Sequence, residues 1–262
     1  MTRLRLDQLL VDRQLAPSRA AAQALLLAGR VELAGAGSRT LKPGQLVARD
    51  AELSVIAGPR WASRGGEKLE AALATFDVDP TGLACLDAGA STGGFTDVLL
   101  ARGARIVYAV DVGRGQLLDR LARDPRVVSM ERTNLRTLEA LPEPIDLATL
   151  DLSFISLRLV LPAVRTLLRP DGGVIALVKP QFEAGRQAVP PGGVVRDRAT
   201  HRVVLQQFGE TAEQAGLWPV ALAASPITGA DGNREFLALL TRDGQAVAAW
   251  EEQIDAVLPS AV

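Results

Sequence analysis

The chain has 262 residues, of which 48% are hydrophobic, and carries a net charge of −1 at neutral pH. This length suits one large domain with a smaller one, and the apolar content is sufficient for a folded core. One cysteine and one histidine exclude a disulfide framework and a structural zinc site, and the apolar runs are too short to span a bilayer. We therefore expect a globular cytoplasmic protein without a resident metal.

Positive charge is concentrated at the start of the chain. Residues 1–48 carry seven basic side chains against three acidic ones. A basic head on a mildly acidic body favours an anionic partner, most simply nucleic acid, although an ordinary solvated arginine surface explains the charge equally well. The candidate contacts to RNA phosphates are Arg3, Arg5, Arg19, Arg30 and Lys42.

The first segment predicts two helices followed by a small sheet. Apolar residues recur at helical spacing in 5–11, and a second helix is predicted over 19–27 with Ser18 as its N-cap. Gly29 ends this helix, and short strands begin at Val31 and are punctuated by glycine and proline. These elements predict a small α+β domain.

From Leu69 onward, short apolar strands alternate with amphipathic helices, which is typical of a parallel α/β sheet. The strands are predicted at 83–87, 105–111, 127–130, 147–151 and 174–178, and the helices at 95–101, 116–123 and 156–168. Two last strands, 220–224 and 236–241, flank a glycine-rich turn and predict an antiparallel hairpin at the sheet edge. The predicted organisation is a first domain at 1–57, a linker at 58–64 and an α/β domain at 65–262.

A glycine-rich turn, D-A-G-A-S-T-G-G-F at 87–95, follows the first strand of this sheet. Its glycines would let the backbone approach a ligand at the free N–H groups of a helix start. The spacing differs from the dinucleotide pattern G-x-G-x-x-G, because Ser91 stands where the second glycine would be. Asp111, at the end of the second strand, would bind a ribose diol, and Asp87 suits a cationic amino-acid end. Together they predict S-adenosylmethionine as the ligand, with a purely structural turn as the alternative.

Lysine is rare in this chain, which has 29 basic residues but only three lysines, Lys42, Lys68 and Lys179. An arginine stays charged at any accessible pH, whereas a lysine can lose its proton when burial or a neighbouring cation lowers its pKa. Lys68 and Lys179 are therefore candidates for proton transfer, unless an arginine-rich composition left three lysines by chance.

Four ionisable side chains are predicted to converge at the carboxyl ends of the strands. Asp151 closes the fourth strand, Lys179 closes the fifth, Glu235 begins the last and Lys68 precedes the first. We assign Lys179 as general base toward a hydroxyl, Asp151 as the group that orients it, and Lys68 with Glu235 as a flanking electrostatic pair. The alternative is two structural salt bridges, Lys68 with Asp151 and Lys179 with Glu235.

These segments resemble the TlyA family of ribosomal RNA 2'-O-ribose methyltransferases, which also carry the name hemolysin. The similarity runs from Leu6 to Leu240 and is most specific in S-R-G-G at 63–66, S-T-G-G-F-T-D at 91–97, E-R-T-N at 131–134, D-L-S-F-I-S at 151–156, K-P-Q-F-E at 179–183 and S-P-I-T-G at 225–229. The resemblance implies an alpha-L RNA-binding domain joined to a Rossmann-like, FtsJ-like methyltransferase domain. It also implies a Lys-Asp-Lys-Glu tetrad at the four residues named above.

The cofactor contacts predicted from the turn and from this resemblance are Asp87, Gly89, Ala90, Ser91, Thr92, Gly93, Gly94, Phe95, Asp111, Val112, Asn134 and Asp151. Asn134 matches a position expected near the adenine, although a turn-forming asparagine explains it almost as well. The glycine- and proline-rich loop 180–196 follows the predicted base and is either a lid or a long surface connection. His201 is predicted to lie on the surface.

The sequence thus predicts a monomeric enzyme that methylates ribosomal RNA, either naked or within ribosomal subunits. Two other functions remain open. One is an RNA-binding protein whose methyltransferase fold is inactive, and the other is a membrane-active hemolysin, which the lack of an amphipathic interfacial helix disfavours.

Overall fold

A computed structural model of the chain describes residues 3–27, 29–34, 41–56, 60–185, 187–242 and 250–258. The chain forms two compact units, Met1–Arg60 and Trp61–Val262. The predicted linker, 58–64, straddles this boundary, and its residues 58 and 59 lie outside the described residues.

The described residues of the first unit form two helices and four short strands. Their bounds are β1 Arg3–Arg5, α1 Leu6–Asp12, α2 Arg19–Leu27, β2 Val31–Leu33, β3 Leu46–Ala48 and β4 Leu53–Val55. Strand β1 pairs antiparallel with β3, and β2 with β4. The Oγ of Ser18 accepts a hydrogen bond from the backbone N–H of Ala21 at 3.2 Å, which confirms the predicted N-cap of α2. Apolar residues at helical spacing, among them Leu6, Leu10 and Leu26, form the core of this unit.

The second unit is built on a seven-stranded sheet. Its strands are β5 Ala84–Ala88, β6 Ile106–Val110, β7 Val127–Met130, β8 Ile145–Leu150, β9 Leu168–Val178, β10 Trp218–Ala224 and β11 Phe236–Thr241, in the order β10-β11-β9-β8-β5-β6-β7. Strands β5 to β9 run parallel, whereas β11 is antiparallel to both β9 and β10. The predicted α/β sheet with an antiparallel edge hairpin is confirmed.

Helices cover this sheet on two faces. They are α3 Gly65–Thr75, α4 Gly94–Ala101, α5 Asp119–Ala122, α6 Leu161–Leu167, α7 Pro180–Glu183, α8 Arg198–Gln214 and α9 Trp250–Val257, with 3₁₀ turns at Leu135–Thr137 and Leu157–Leu159. Successive residues of β5 point to opposite faces, so Leu86 joins the core under α6 and α8 while Cys85 joins the core under α3 and α4.

Two predicted helices are shorter than the sequence pattern suggested. The pattern over 116–123 yields only the four residues of α5. The pattern over 156–168 begins as a 3₁₀ turn and becomes helical at Leu161, with Pro162 in the first turn of α6. Proline suits that position because it has no N–H to donate and its φ is already helical.

Candidate active site

The glycine-rich turn after β5 is shaped by close backbone packing. Gly89 has φ +84°, and a Cβ there would lie 2.5 Å from the carbonyl oxygen of Asp151. Gly93 has φ +95°, and a Cβ would collide with the side chains of Leu117 and Leu121. Because a residue with a side chain is strained at these φ values and also has no room, the turn requires glycine at both positions.

A cleft of about 670 Å³ opens beside this turn. It is lined by all four residues of the predicted tetrad, Lys68, Asp151, Lys179 and Glu235. Besides Asp151, six other predicted cofactor residues line it: Gly89, Ala90, Ser91, Thr92, Gly94 and Phe95. Further lining residues include Ser63, Arg64, Gly65, Ser153, Phe154, Gln181, Phe182, Thr228, Gly229 and Asp231. The volume falls in the usual range for small-molecule and cofactor sites.

The four residues of the predicted tetrad form two ion pairs. Lys179 Nζ lies 2.7 Å from Asp151 Oδ1, and Lys68 Nζ lies 2.5 Å from Glu235 Oε2. Both lysine side chains are largely buried, with exposed fractions of 9% and 10%. This is the pairing assigned from the sequence, and the alternative pairs, Lys68 with Asp151 and Lys179 with Glu235, are not the ones formed.

Strand register explains why these residues meet. Strands β8 and β9 are parallel neighbours, so Asp151 and Lys179, which follow them, emerge at the same edge of the sheet. Strand β11 runs antiparallel to β9 with Phe236 opposite Val178, so Glu235 enters at that same edge. Lys68, in the second turn of α3, completes the group from the helix that packs on α4.

Asp87 is one of the predicted cofactor residues that do not line the cleft. Its side chain is fully buried and does not line the cleft. Its Oδ2 accepts hydrogen bonds from the N–H and the hydroxyl of Thr96 at 2.8 and 2.6 Å, whereas Oδ1 has no partner within the described residues. Burial raises the pKa of Asp87 to about 7. The carboxyl therefore holds the start of α4 through its hydrogen bonds with Thr96 and does not face the cleft.

Asp111 lies in a small depression next to the cleft, and Ala90 and Ser91 line both. Its two oxygens accept hydrogen bonds from the backbone N–H groups of Ser91 and Gly113, at 2.9 and 2.7 Å. A carboxylate offers about four acceptor positions, so it keeps some for hydroxyl donors. Val112, beside it, is 74% exposed and offers an apolar surface.

Asn134 lies outside the lining of the cleft. Its Oδ1 accepts a hydrogen bond from the N–H of Arg136 at 3.0 Å and caps the 3₁₀ turn that follows β7. The turn-forming explanation offered as an alternative is therefore the one that this contact supports.

The residues around the turn fit S-adenosylmethionine. The carboxylate of Asp111 suits the ribose hydroxyls, exposed Val112 suits the flat face of an adenine, and the backbone of 89–92 lines the cleft where the amino-acid end would lie. Among the described residues, no group of three or more His, Cys, Asp or Glu side chains is arranged to hold a metal ion.

Several lining residues had no predicted role. Phe154, with φ +63°, is 91% exposed, and its ring centroid lies 5.2 Å from that of Phe182. Glu183 ties their two segments together, because its carboxylate accepts hydrogen bonds from Ser156 Oγ at 2.6 Å and from the N–H of Leu157 at 2.9 Å. The D-L-S-F-I-S and K-P-Q-F-E motifs mark these residues in the sequence, but their partners become visible only in the fold.

The prediction that His201 lies on the surface is wrong. The residue is 4% exposed, its Nε2 lies 3.1 Å from the carbonyl oxygen of Val195, and its ring meets Phe236 edge to face. Although the start of α8 is polar in sequence, this position faces the sheet.

Asn233, which is fully buried, accepts a hydrogen bond from the N–H of Val195 and donates one to the carbonyl oxygen of Gly193, each at 2.9 Å. The end of the loop 180–196 is thereby anchored, and its residue 186 lies outside the described residues.

Two of the predicted RNA contacts are engaged within the first unit. Asp7 is fully buried, and Arg5 and Arg19 both bond its carboxylate, Arg5 through two hydrogen bonds of 3.0 and 2.9 Å. The hydrogen bonds from Arg5 hold the pKa of Asp7 well below its usual range. Both arginine side chains stay about half exposed, so each has a free face.

The other predicted RNA contacts differ in exposure. Arg3 and Lys42 are exposed, while Arg30 is partly buried and donates from Nε to the carbonyl oxygen of Ile56 at 3.1 Å.

No helix among the residues that the structure describes has the length and hydropathy needed to cross a membrane.

Comparison with known proteins agrees with the fold and with the cleft. Residues 61–242 match the family of FtsJ-like methyltransferases. The 16S/23S rRNA (cytidine-2'-O)-methyltransferase TlyA of Mycobacterium tuberculosis is 46% identical over 252 residues, which cover 94% of this chain and 93% of that protein. A solved structure from Streptococcus thermophilus that carries the name hemolysin is 41% identical, covers 98% of this chain and 96% of that one, and superposes with a TM-score of 0.73.

A more distant structure shares the fold alone. An S-adenosylmethionine dependent methyltransferase from Mesorhizobium loti is 16% identical, covers 67% of this chain and 98% of that one, and superposes with a TM-score of 0.52. The sheet order and the position of the cleft at the carboxyl ends of the strands are those of such enzymes. This chain is therefore a methyltransferase of the FtsJ-like family and belongs to its TlyA members.

Proposed function

We propose that this protein uses S-adenosylmethionine to methylate a ribose 2'-hydroxyl of ribosomal RNA. The observation that carries the proposal is the Lys179–Asp151 pair, which faces the same cleft as the glycine-rich turn. The name of the TlyA relative, an rRNA (cytidine-2'-O)-methyltransferase, supports the choice of substrate. A ribosomal substrate would place the enzyme in the cytoplasm.

The turn 89–94, Asp111 and Val112 would hold the cofactor. When bound, S-adenosylmethionine supplies an electrophilic methyl group on a sulfonium, which becomes a neutral thioether as the methyl is transferred. The turn packs so closely against its neighbours that it requires glycine at Gly89 and Gly93. A closely packed turn would keep that methyl at a constant distance from the tetrad.

Lys179 would act as the general base. With Lys179 in its neutral form, the attacking ribose oxygen gives its proton to Lys179 Nζ, an O–C bond forms and the C–S bond breaks, so the positive charge ends on the lysine ammonium. Asp151 Oδ1 is 2.7 Å from that nitrogen and stabilises the charge as it develops. Lys68 and Glu235 would balance each other's charge at the opposite side of the same cleft.

Two sets of side chains would hold the RNA. Arginines of the first unit would contact phosphates, which gives an affinity that falls with salt and carries little sequence information. The exposed ring of Phe154, at the cleft and beside Phe182, offers a surface on which an unstacked base can lie. Such a surface would suit a nucleotide of a loop or bulge, whose base is free to leave the stack as its ribose enters the cleft.

The test is transfer of labelled methyl from S-adenosylmethionine to isolated small and large ribosomal subunits that lack the modification. The RNA is digested to nucleosides, which are identified by mass spectrometry. A 2'-O-methylated nucleoside is the expected product. A methylated base would overturn the role of the tetrad, and absence of transfer to either subunit and to precursor RNA would favour an inactive, RNA-binding fold. Leakage of lipid vesicles by the purified protein would favour the hemolysin alternative.

A further inference from the structure

Within the described residues, Lys179 Nζ forms an ion pair with one oxygen and donates a hydrogen bond to another. Asp151 Oδ1 lies at 2.7 Å, and the Oγ of Ser153 lies at 3.0 Å. A third side is occupied by the ring of Phe182, whose centroid is 5.9 Å from the nitrogen. All four residues line the cleft.

This arrangement matters for a neutral amine. A neutral lysine has two N–H bonds and one lone pair, arranged tetrahedrally around the nitrogen. When Ser153 accepts one N–H and the carboxylate of Asp151 attracts the other, the lone pair is left for the remaining direction. With one acceptor missing, the amine can rotate about its Cε–Nζ bond and aim a proton, instead of the lone pair, at the substrate.

We propose that Ser153 is a positioning residue that holds the lone pair of Lys179 toward the substrate hydroxyl. The inference rests on the proposed function of Lys179 as general base and adds the group that orients it. Asp151 alone does not set this rotation, because its contact with Nζ is an ion pair, whose attraction depends on distance more than on direction. Ser153 supplies the second point of attachment.

Ser153 is well suited to a test because it is exposed, so its hydroxyl contributes little to the core. Surface substitutions of this kind usually change stability by less than about 0.5 kcal/mol. Loss of activity in Ser153→Ala can therefore be separated from loss of folding. Thr166→Ala is a matched control, since it also removes an exposed hydroxyl, one that bonds the carbonyl oxygen of Ala163 on α6, away from the cleft.

The experiment measures the single-turnover rate of methyl transfer to the accepted ribosomal subunit at saturating enzyme and S-adenosylmethionine, together with the dissociation constant for the cofactor and the KM for RNA. We expect Ser153→Ala to lower the single-turnover rate by about 10- to 100-fold, the effect of one lost hydrogen bond in the transition state. Cofactor binding, KM and melting temperature should stay near those of the unaltered protein, and Ser153→Thr, which keeps a hydroxyl, should recover most of the rate.

Two results would overturn the inference. One is a single-turnover rate in Ser153→Ala equal to that of Thr166→Ala, and the other is a Ser153→Thr variant as slow as Ser153→Ala. A loss confined to cofactor binding or KM would likewise assign Ser153 to binding. Lys179→Ala tests the proposed function separately from this inference. Substantial turnover in that variant would show that Lys179 is not the base, whatever Ser153→Ala shows.

Discussion

Lys68 Nζ and Glu235 Oε2 are 2.5 Å apart, although 167 positions separate the two residues in the sequence. The pair joins α3 to the start of β11, and its side chains are 10% and 3% exposed. A Cβ on Gly229 would lie 2.6 Å from Glu235 Oε1, so the preceding turn closes over the same carboxylate. A buried charge pair of this kind is costly to break from one side only.

We expect Glu235→Gln to lower the free energy of unfolding by about 3 to 5 kcal/mol, because Lys68 is left as a buried ammonium without a countercharge. The double variant Lys68→Met/Glu235→Leu should recover most of that loss, since it removes both charges. Urea denaturation of the unaltered protein, Lys68→Met, Glu235→Leu and the double variant, as a double-mutant cycle, measures the coupling. Additive losses in the double variant would show that the two side chains do not stabilise each other.

Replacing Lys179 tests the base directly. Lys179→Ala and Lys179→Arg should each lower methyl transfer by about 10²- to 10⁴-fold, the usual contribution of a general base. Arginine keeps the charge next to Asp151 but cannot give up its proton, so it isolates proton transfer from electrostatics. Cofactor binding by calorimetry should be nearly unchanged in both. If the arginine variant retains turnover, the essential property of residue 179 is its positive charge and not its ability to accept a proton.

Gly89 and Gly82 form a matched pair for the cofactor turn. Both have positive φ, +84° and +76°, but a Cβ on Gly82 meets nothing within 4 Å, whereas one on Gly89 reaches the carbonyl oxygen of Asp151. Gly82→Ala should cost about 1 to 2 kcal/mol of stability through backbone strain alone and leave cofactor affinity unchanged. Gly89→Ala should cost more and weaken cofactor binding at least tenfold. Equal effects of the two variants on cofactor binding would rule out a special fit at Gly89.

The buried carboxyl of Asp87 predicts a pH dependence of stability. Burial raises its pKa from an ordinary value of 3.8 to about 7, so between these values the folded protein keeps a proton that the unfolded chain releases. Its contribution to stability is therefore complete below about pH 4 and is lost as the pH rises through 7.

Asp87→Asn removes this titration while its amide oxygen can still accept a hydrogen bond from Thr96. Melting temperatures from pH 5 to pH 8.5 should fall more steeply for the unaltered protein than for the variant. Parallel curves would mean that Asp87 is ionised in the fold throughout this range.

The single histidine offers a direct spectroscopic test of burial. Burial lowers the pKa of His201 from 6.5, and a hydrogen bond with the carbonyl oxygen of Val195 partly opposes this. Since the sequence has one histidine, its imidazole Cε1–H signal can be followed by proton NMR without ambiguity. The midpoint should lie below 6.5 in the folded protein and near 6.5 in urea. Stability from this group is present above pH 6.5 and declines as the pH falls, because the unfolded chain takes up the proton first.

Much of the α/β sheet was predictable because its signals are local. The strand at Ala84–Ala88 is a short apolar run, and the turn after it can be recognised in the sequence from Gly89 and Gly93. The antiparallel hairpin of β10 and β11 follows from two apolar runs around a glycine-rich turn. The wrong prediction for His201 arose from the same reliance on local pattern, because a polar helix start hides which of its residues turns toward the sheet.

The sequence by itself determined where most strands lie, where glycine is needed and which four ionisable groups are candidates for one site, because the spacing of apolar residues and the positions of glycine and proline are encoded within a few residues. Only the tertiary structure decided between the assigned pairing, Lys68 with Glu235 and Lys179 with Asp151, and its alternative, and only it placed Ser153 on the same lysine and Asp87 in the core. Those contacts depend on the order β11-β9-β8-β5 and on the register between strands distant in the chain. The free energy of burying both faces of the sheet selects that order, and no single segment of the sequence carries it.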